Sequence, residues 1–587
     1  MSTSNYEYIW SAEQFRGRRK KGKRHMSKNT LIKGTIILTA AGFLTRILGF
    51  FYRIWLSGQL GAELIGIYQL VFPVYSVFFT LYASGIQTAI SKLSAEAERF
   101  LPKHVLYNKA EAERAAARRV FSCGFLLSFS FALLLSLFLY EAAPLVAERF
   151  LFEPRATQSL RVLSFIFPFC SITACINGYY YGRNKSSVPA LSQMLEQVIR
   201  ITSVYFLAGL SGNGTIACET AVLGLIFGEA ASALFNLCSF ALERKKEAHA
   251  LHAALSEKRG KLFREISILA FPLSFNRLVV SLLHSFEATL VPFMLRKYGM
   301  TSADALSHYG IINGMSMPFI FFPTAITGAL SVLLLPAVSQ ASIRGETEKL
   351  NSTVFLAQKF SILLGILSTA LFILFGYDLG TAIFGEALAG NYLRTLAWLC
   401  PFLYVSSTFN SILNGLGKPY QTFINSIIAM CIKISIIFFG VPHLGMQAYF
   451  LSILLSQIAI TLMDGILLYR LVGPSCLPDH YIMKAALALV VLGVIVAPLY
   501  EYGKTDFASP HLALLTYGGA YFLCALLAFF ISGTITLKEV RTLKRYISFI
   551  ALKIASITHI FRKYVIFDTI CRTVFLVICL RLFYYIL

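Results

Sequence analysis

Long apolar runs recur along almost the whole chain, and nothing else in the sequence restricts its folding as severely. About 20 helical residues cross the roughly 30 Å of a bilayer's hydrocarbon, where no water can bond a free N–H or C=O, so only helices or a closed barrel can span it. Runs this long and without strict alternation select helices. They fall near 31-56, 64-91, 119-140, 158-181, 188-210, 215-241, 265-295, 309-336, 353-376, 391-413, 419-440, 445-470, 482-500 and 512-533, which predicts an all-α polytopic membrane protein of about fourteen spans. Gly209, Gly212, Asn213 and Gly214 mark the turn that separates the fifth from the sixth. With 57% hydrophobic and 14% charged residues, and a mean hydropathy of +0.67, the chain is far from the balance of soluble domains.

A formal net charge of +23 would point to nucleic acid in a soluble protein, but here its distribution follows the positive-inside rule, and no nucleic-acid partner is expected. Loops 92-119, 182-187, 242-264, 341-352, 414-420 and 471-484, with Arg470, hold roughly 21 Lys and Arg. The intervening loops hold about six, among them Arg149, Arg155, Arg296 and Lys504. Both termini are therefore expected in the cytoplasm of a cell whose cytoplasmic membrane the chain spans. The run Arg16, Arg18, Arg19, Lys20, Lys21, Lys23, Arg24 agrees as a solvated anchor that can also touch anionic membrane lipids. The apolar stretch after it is too long for a cleaved signal and carries two arginines. Eleven cysteines without CxxC spacing read as small apolar fillers, and no metal or cofactor is expected.

Those two arginines sharpen the picture. Gly42, Arg46, Gly49 and Arg53 fall on one helical stripe inside the first span. An arginine at mid-membrane costs about 2.5–3.5 kcal/mol on insertion scales, so the stripe should face a polar cavity and bind something negative, with the glycines letting a ligand or helix come close.

The chain also repeats itself. At an offset of about 233 positions, Pro168 and Phe169 match Pro401 and Phe402, Asn177 matches Asn410, Gly182 matches Gly415, Lys185 matches Lys418 and Arg200 matches Lys433. At nearly the same offset Arg46 falls on Arg277, and at a longer one Ala89-Ile90-Ser91 resembles Ala337-Val338-Ser339. Six helices per repeat, an even number, give both copies one orientation and build two lobes around a central cavity. Arg46, Arg53 and Arg277 then converge in a cationic chamber, with Asn276, His284 and Glu287 as further polar groups; the plainer reading pairs Arg277 with Glu287 or a backbone carbonyl. Glu196 and Arg200, spaced i,i+4, read as a structural ion pair. Lys359, Lys433 and Asp464 are single charges on later spans, Asp464 being placed to meet Arg470, and Glu229 stands among small residues of the sixth. Glu287, His284 and Asp464 are candidates for coupling to a sodium ion or a proton.

The segments Gly34-Thr35-Ile36-Ile37-Leu38-Thr39-Ala40-Ala41-Gly42, Thr45-Arg46-Ile47-Leu48-Gly49-Phe50, Gly61-Ala62-Glu63-Leu64-Ile65-Gly66-Ile67-Tyr68-Gln69 and Ala89-Ile90-Ser91-Lys92-Leu93 resemble the opening helices of the stage V sporulation protein B family. That family belongs to the multidrug/oligosaccharidyl-lipid/polysaccharide exporter superfamily, which includes the MurJ lipid II flippases. The resemblance covers about residues 31-533 and implies a MATE/MurJ-like fold: an N-lobe at 31-241, a C-lobe at 265-470 and two additional helices at 482-533, after a basic tail at 1-30. It implies no enzyme but a flippase. The substrate would be an undecaprenyl-diphosphate-linked saccharide, a lipid II-like peptidoglycan precursor or a polysaccharide repeat unit, carried by alternating access with its tail in a groove near 482-533. Arginine forks suit diphosphate oxygens. In MurJ-like proteins cavity arginines on the first and seventh helices matter for activity; Arg46 and Arg277 match them, whereas Arg53 lies one residue out of that register. A monomer suffices, and the oligomeric state is open.

The chain departs from the family at both ends, with a long basic N-terminus and a 537-587 tail whose apolar part, 564-587, carries Asp568, Arg572 and Arg581. Those charges favour an interfacial helix pair over a fifteenth span. The alternatives are a cation-coupled multidrug exporter, which would need acidic lobes, and a non-transporting cell-wall scaffold. A polyprenyl-phosphate glycosyltransferase would need acidic groups in a large outer loop, and the outer loops are short.

Overall fold

The computed structural model describes residues 28–100, 109–210, 217–245, 259–473, 481–507, 509–536 and 539; most of the basic N-terminal tail and nearly all of the 537-587 tail lie outside the described residues. Among the described residues there are helices and turns and no strand. The helices are α1 Lys28–Phe79, α2 Gly85–Ala95, α3 Lys109–Leu145, α4 Thr157–Ser164, α5 Ile166–Gly182, α6 Ser187–Leu210 and α7 Cys218–Lys245. After them come α8 Arg259–Lys297, α9 Ser302–Gly310, α10 Met317–Phe321, α11 Thr324–Arg344, α12 Thr347–Phe384, α13 Ala387–Leu396, α14 Cys400–Gly415, α15 Pro419–Leu444 and α16 Met446–Val472, then α17 Tyr481–Gly503 and α18 Pro510–Ile531.

Ten described stretches have the length and apolarity of a membrane crossing, eleven with the pair Pro154–Ser164 and Ile166–Gly182, bent by 46°. The chain is a multi-pass membrane protein. The first stretch, Ala40–Ala95, is 56 residues long and breaks at Gly61, whose φ of 73° suits a residue without Cβ; it covers the predicted span 64-91 and the second part of 31-56. The helix α6 is not among the ten, because Glu196, Gln197 and Arg200 lower its apolarity.

Some spans expected to be continuous are interrupted, two of them where proline removes a backbone donor. The 309-336 stretch is broken into α9, a π turn at Ile311–Ser316, α10 and α11, with Pro318 and Pro323 at the joints. A second π turn, Thr80–Ser84, joins α1 to α2, and a 3-10 turn at Ala397–Leu399 splits the 391-413 stretch just before Pro401. Such turns shift the hydrogen-bond ladder and often mark functional positions.

Two halves meet along a seam made by the second limb of α1 and by α2 on one side, and by α8, α9 and the π turn after it on the other. The backbones touch closely there: a Cβ on Gly66 would lie 2.2 Å from the Leu306 carbonyl oxygen, and one on Gly310 2.3 Å from that of Ala62. Across the same seam Ser281 contacts Ser76 at 3.1 Å and Thr80 at 3.3 Å. The last two helices pack on α12, where Phe375 meets Tyr500 at 5.0 Å and Tyr521 at 5.9 Å. Lys359 of α12 reaches Glu539 at 2.7 Å, so it is not the single charge expected.

At one end of the seam a polar latch joins the halves. Arg155 pairs with Glu153 and Glu63, each at 2.6 Å, while Ser302 at the start of α9 donates to Glu153 at 3.1 Å. Beside it Phe152 stacks on Phe293 with centroids 4.5 Å apart. Burial pushes the Glu153 carboxyl up, but the hydrogen bonds from Arg155 and Ser302 outweigh it and hold the group below the usual carboxylate range.

Gly66→Val should lower thermal stability by about 1–3 kcal/mol through overpacking, while Gly58→Ala, whose Cβ meets nothing within 4 Å, should be neutral; melting curves in detergent compare them. Because the Glu153 group is depressed, the stability it contributes is present above the ordinary glutamate value of about 4.3 and lost as pH falls below it. Glu153→Gln should accordingly lower the melting temperature at pH 7 and approach wild type near pH 3.

Candidate functional site

The seam also sets the surroundings of the arginines. Arg46, on the first limb of α1, is exposed, and among the described residues it has neither a hydrogen bond nor an ion pair. Its guanidinium lies over Gly328 of α11, where a Cβ would stand 2.9 Å from Nη1. Gly328 was not singled out from the sequence, since nothing in one chain says which glycine a distant arginine will cover. Arg277 on α8 is exposed and donates from Nη1 to the Ser84 carbonyl at 3.1 Å and to the Ser84 hydroxyl at 2.6 Å. Each arginine thus reaches from one half to the other: that of α1 to α11, and that of α8 to the π turn before α2. Phe50, one helical turn from Arg46, meets Phe319 at 4.9 Å and Phe322 at 4.7 Å, an aromatic seal on the same crossing.

Of the two plainer partners considered for Arg277, the backbone carbonyl is the one present. Glu287 instead pairs with Lys433 of α15 at 2.6 Å, with His284 at 3.6 Å. Lys433 is therefore not a single charge either. Asn276 is exposed beside Arg277. Asp464 is buried and accepts from Asn425 at 2.8 Å rather than meeting Arg470.

Arg53 has a different neighbourhood from Arg46. It has protein on most sides, yet its side chain is accessible. Its charge and that of Arg200 on α6 are within electrostatic reach of one another, with Tyr68 close to both. Arg200 is ion-paired with Glu196 and donates to Gln197 at 3.4 Å. Gly49 lies against Gln197, a Cβ there standing 3.6 Å from Nε2, while Gly42 has open space around its Cα. The stripe is thus divided: its Arg46 end faces the opposite half, and its Gly49–Arg53 end faces α6. Glu229 on α7 is buried, with Glu196 and Arg200 within electrostatic reach.

Two helical halves with broken second helices and arginines crossing the seam make a multi-pass membrane protein with the fold of the exporter class. The family model described as polysaccharide biosynthesis protein matches residues 31–342, more than half of the chain, and the model described as MatE matches residues 277–439. The chain belongs to the polysaccharide biosynthesis protein family, within the multidrug/oligosaccharidyl-lipid/polysaccharide exporter superfamily. It is 27% identical to stage V sporulation protein B of Bacillus subtilis over 81% of this chain and 90% of that protein. To the lipid II flippase MurJ of the same organism it is 24% identical, over 84% and 94%. A solved structure of the lipid II flippase MurJ in an inward closed conformation shares the fold, with a TM-score of 0.59 and 15% identity over 86% of this chain and 99% of that one.

Breaking a buried pair leaves an uncompensated charge, so Glu287→Gln or Lys433→Met alone should cost about 3–5 kcal/mol, whereas the double variant should recover most of that loss. Melting temperatures of the three variants test the pair.

Proposed function

We propose that this protein is a flippase that moves an undecaprenyl-diphosphate-linked saccharide, of the kind used as a peptidoglycan precursor or polysaccharide repeat unit, across the bacterial cytoplasmic membrane, with both termini on the cytoplasmic side. The observation that carries the reading is Arg46: an accessible guanidinium in a membrane span without a resident counter-ion. Leaving a cation unpaired there is costly, and a diphosphate is the ligand whose oxygens match guanidinium forks and whose charge offsets that cost. The similarity to the lipid II flippase MurJ and the match to the polysaccharide biosynthesis protein family support the same substrate class.

Arg46, Arg53 and Arg277, with Asn276, bind the head group, and Gly42 and Gly49 keep the wall of the cavity low enough for it to enter. Transport is not a bond-making reaction, and the chain acts as a transporter rather than an enzyme. Arg277 on Ser84 ties the halves together while the site is empty, and Arg46 lies over Gly328 without a bond. A diphosphate that draws both guanidiniums weakens these contacts, and the halves can then rock about the bound head group. Glu287, His284 and Asp464 are the candidates for coupling to a sodium ion or a proton. The cationic chamber has the wrong sign for exporting cationic drugs.

The test is binding of a polyprenyl-diphosphate-linked saccharide by the purified protein, beside a lipophilic cationic drug. Arg46→Ala should lower lipid binding about tenfold or more and abolish flipping in proteoliposomes while leaving folding unchanged. Drug binding without lipid binding would move the protein to the drug-exporter reading.

A further inference from the structure

The α1–α6 wall holds more hydrogen-bond donors than acceptors. Tyr52, only 4% exposed, has a hydroxyl with no partner, and the Nε of Arg200 is likewise buried without one. Tyr52 lies within electrostatic reach of Arg200 and Tyr68. Gly49, Tyr52 and Arg53 share one face of α1, and the Nε2 of Gln197 stands against Gly49. Arg53 has no ion-pair partner among the described residues. A buried donor left unbonded costs about 1–3 kcal/mol, so the Tyr52 hydroxyl and the Arg200 Nε, with Arg53 close by, mark a place that waits for an acceptor.

The acceptor groups now in reach are few. Glu196 occupies one edge of the Arg200 guanidinium, and the Oε1 of Gln197 accepts from Nη1. Glu229 is within electrostatic reach of Arg200 but makes no ion pair with it among the described residues. In the other half the repeat counterpart of Arg200, Lys433, is held by Glu287 from a different helix. Glu196, by contrast, sits one turn away on the same helix as its arginine, where an i,i+4 pair is worth only a few tenths of a kcal/mol on an isolated helix.

We propose that Arg53, Arg200, Tyr52 and Gln197 form a phosphate subsite in the α1–α6 wall, separate from the Arg46–Arg277 crossing, and that Glu196 is its resident counter-ion, displaced when the substrate's diphosphate arrives. The proposal rests on the flippase reading, for which it supplies the position of a second phosphate. Glu196 is then a competitor of the substrate rather than a prop of the fold, and the two roles predict opposite signs.

The probe is undecaprenyl diphosphate titrated onto the full chain in nanodiscs. Arg200→Gln should weaken binding roughly tenfold or more, and Tyr52→Phe by a few-fold. Glu196→Gln, which keeps a hydrogen-bonding shape but removes the competing charge, should tighten binding several-fold. Melting temperatures accompany each variant, and Glu196→Gln carries the test if Arg200→Gln fails to fold. Weaker or unchanged binding in Glu196→Gln overturns the subsite. If wild type binds, Arg46→Ala does not, and Glu196→Gln and Arg200→Gln behave as wild type, the subsite alone fails. If wild type does not bind the probe, the flippase reading fails and the subsite with it.

Discussion

A guanidinium inside a membrane span must point at something polar, and much of this structure is arranged around that requirement. Lipid offers Arg46, Arg53 and Arg277 no polar partner, and two of the three, Arg46 and Arg277, reach toward the opposite half. The halves meet along a seam where glycines allow backbone contact and where each of these two arginines is received by the opposite half.

The broken helices follow from the same geometry. Arg277 finds an acceptor at the carbonyl of Ser84, the last residue of a π turn, which also accepts from the Thr88 hydroxyl. The matching second helix of the other half carries its own π turn at Ile311–Ser316, next to the aromatic contacts of Phe50 with Phe319 and Phe322. Irregular backbone at membrane depth is tolerated where it is covered by protein or lines a cavity, and both turns lie on the seam.

Paired and unpaired charges divide the interior into two kinds of group. Glu287 with Lys433, and Lys359 with Glu539, are ion pairs made between separate elements, and their members hold the bundle in register. Arg46 and Arg53 have no such partner among the described residues, and Arg200 keeps an unsatisfied Nε despite its local glutamate. Lys359 and Lys433 are charges that sequence spacing left single, because their partners come from distant parts of the chain.

Much of the fold was legible in the sequence. Apolar length alone dictated helices, since a bilayer permits little else, and the spacing of Arg46 and Arg53 placed them on one stripe. The register of the repeat aligned Arg46 with Arg277, which already implied two similar halves. What the sequence could not decide was who meets whom across the seam. Gly328 beneath Arg46, Ser84 beneath Arg277, Lys433 on Glu287 and Asn425 on Asp464 are contacts between segments separated by tens to hundreds of residues. Periodicity fixes which face of a helix a residue occupies; which neighbour that face finds is settled by how all the helices pack at once, and so belongs to the tertiary structure.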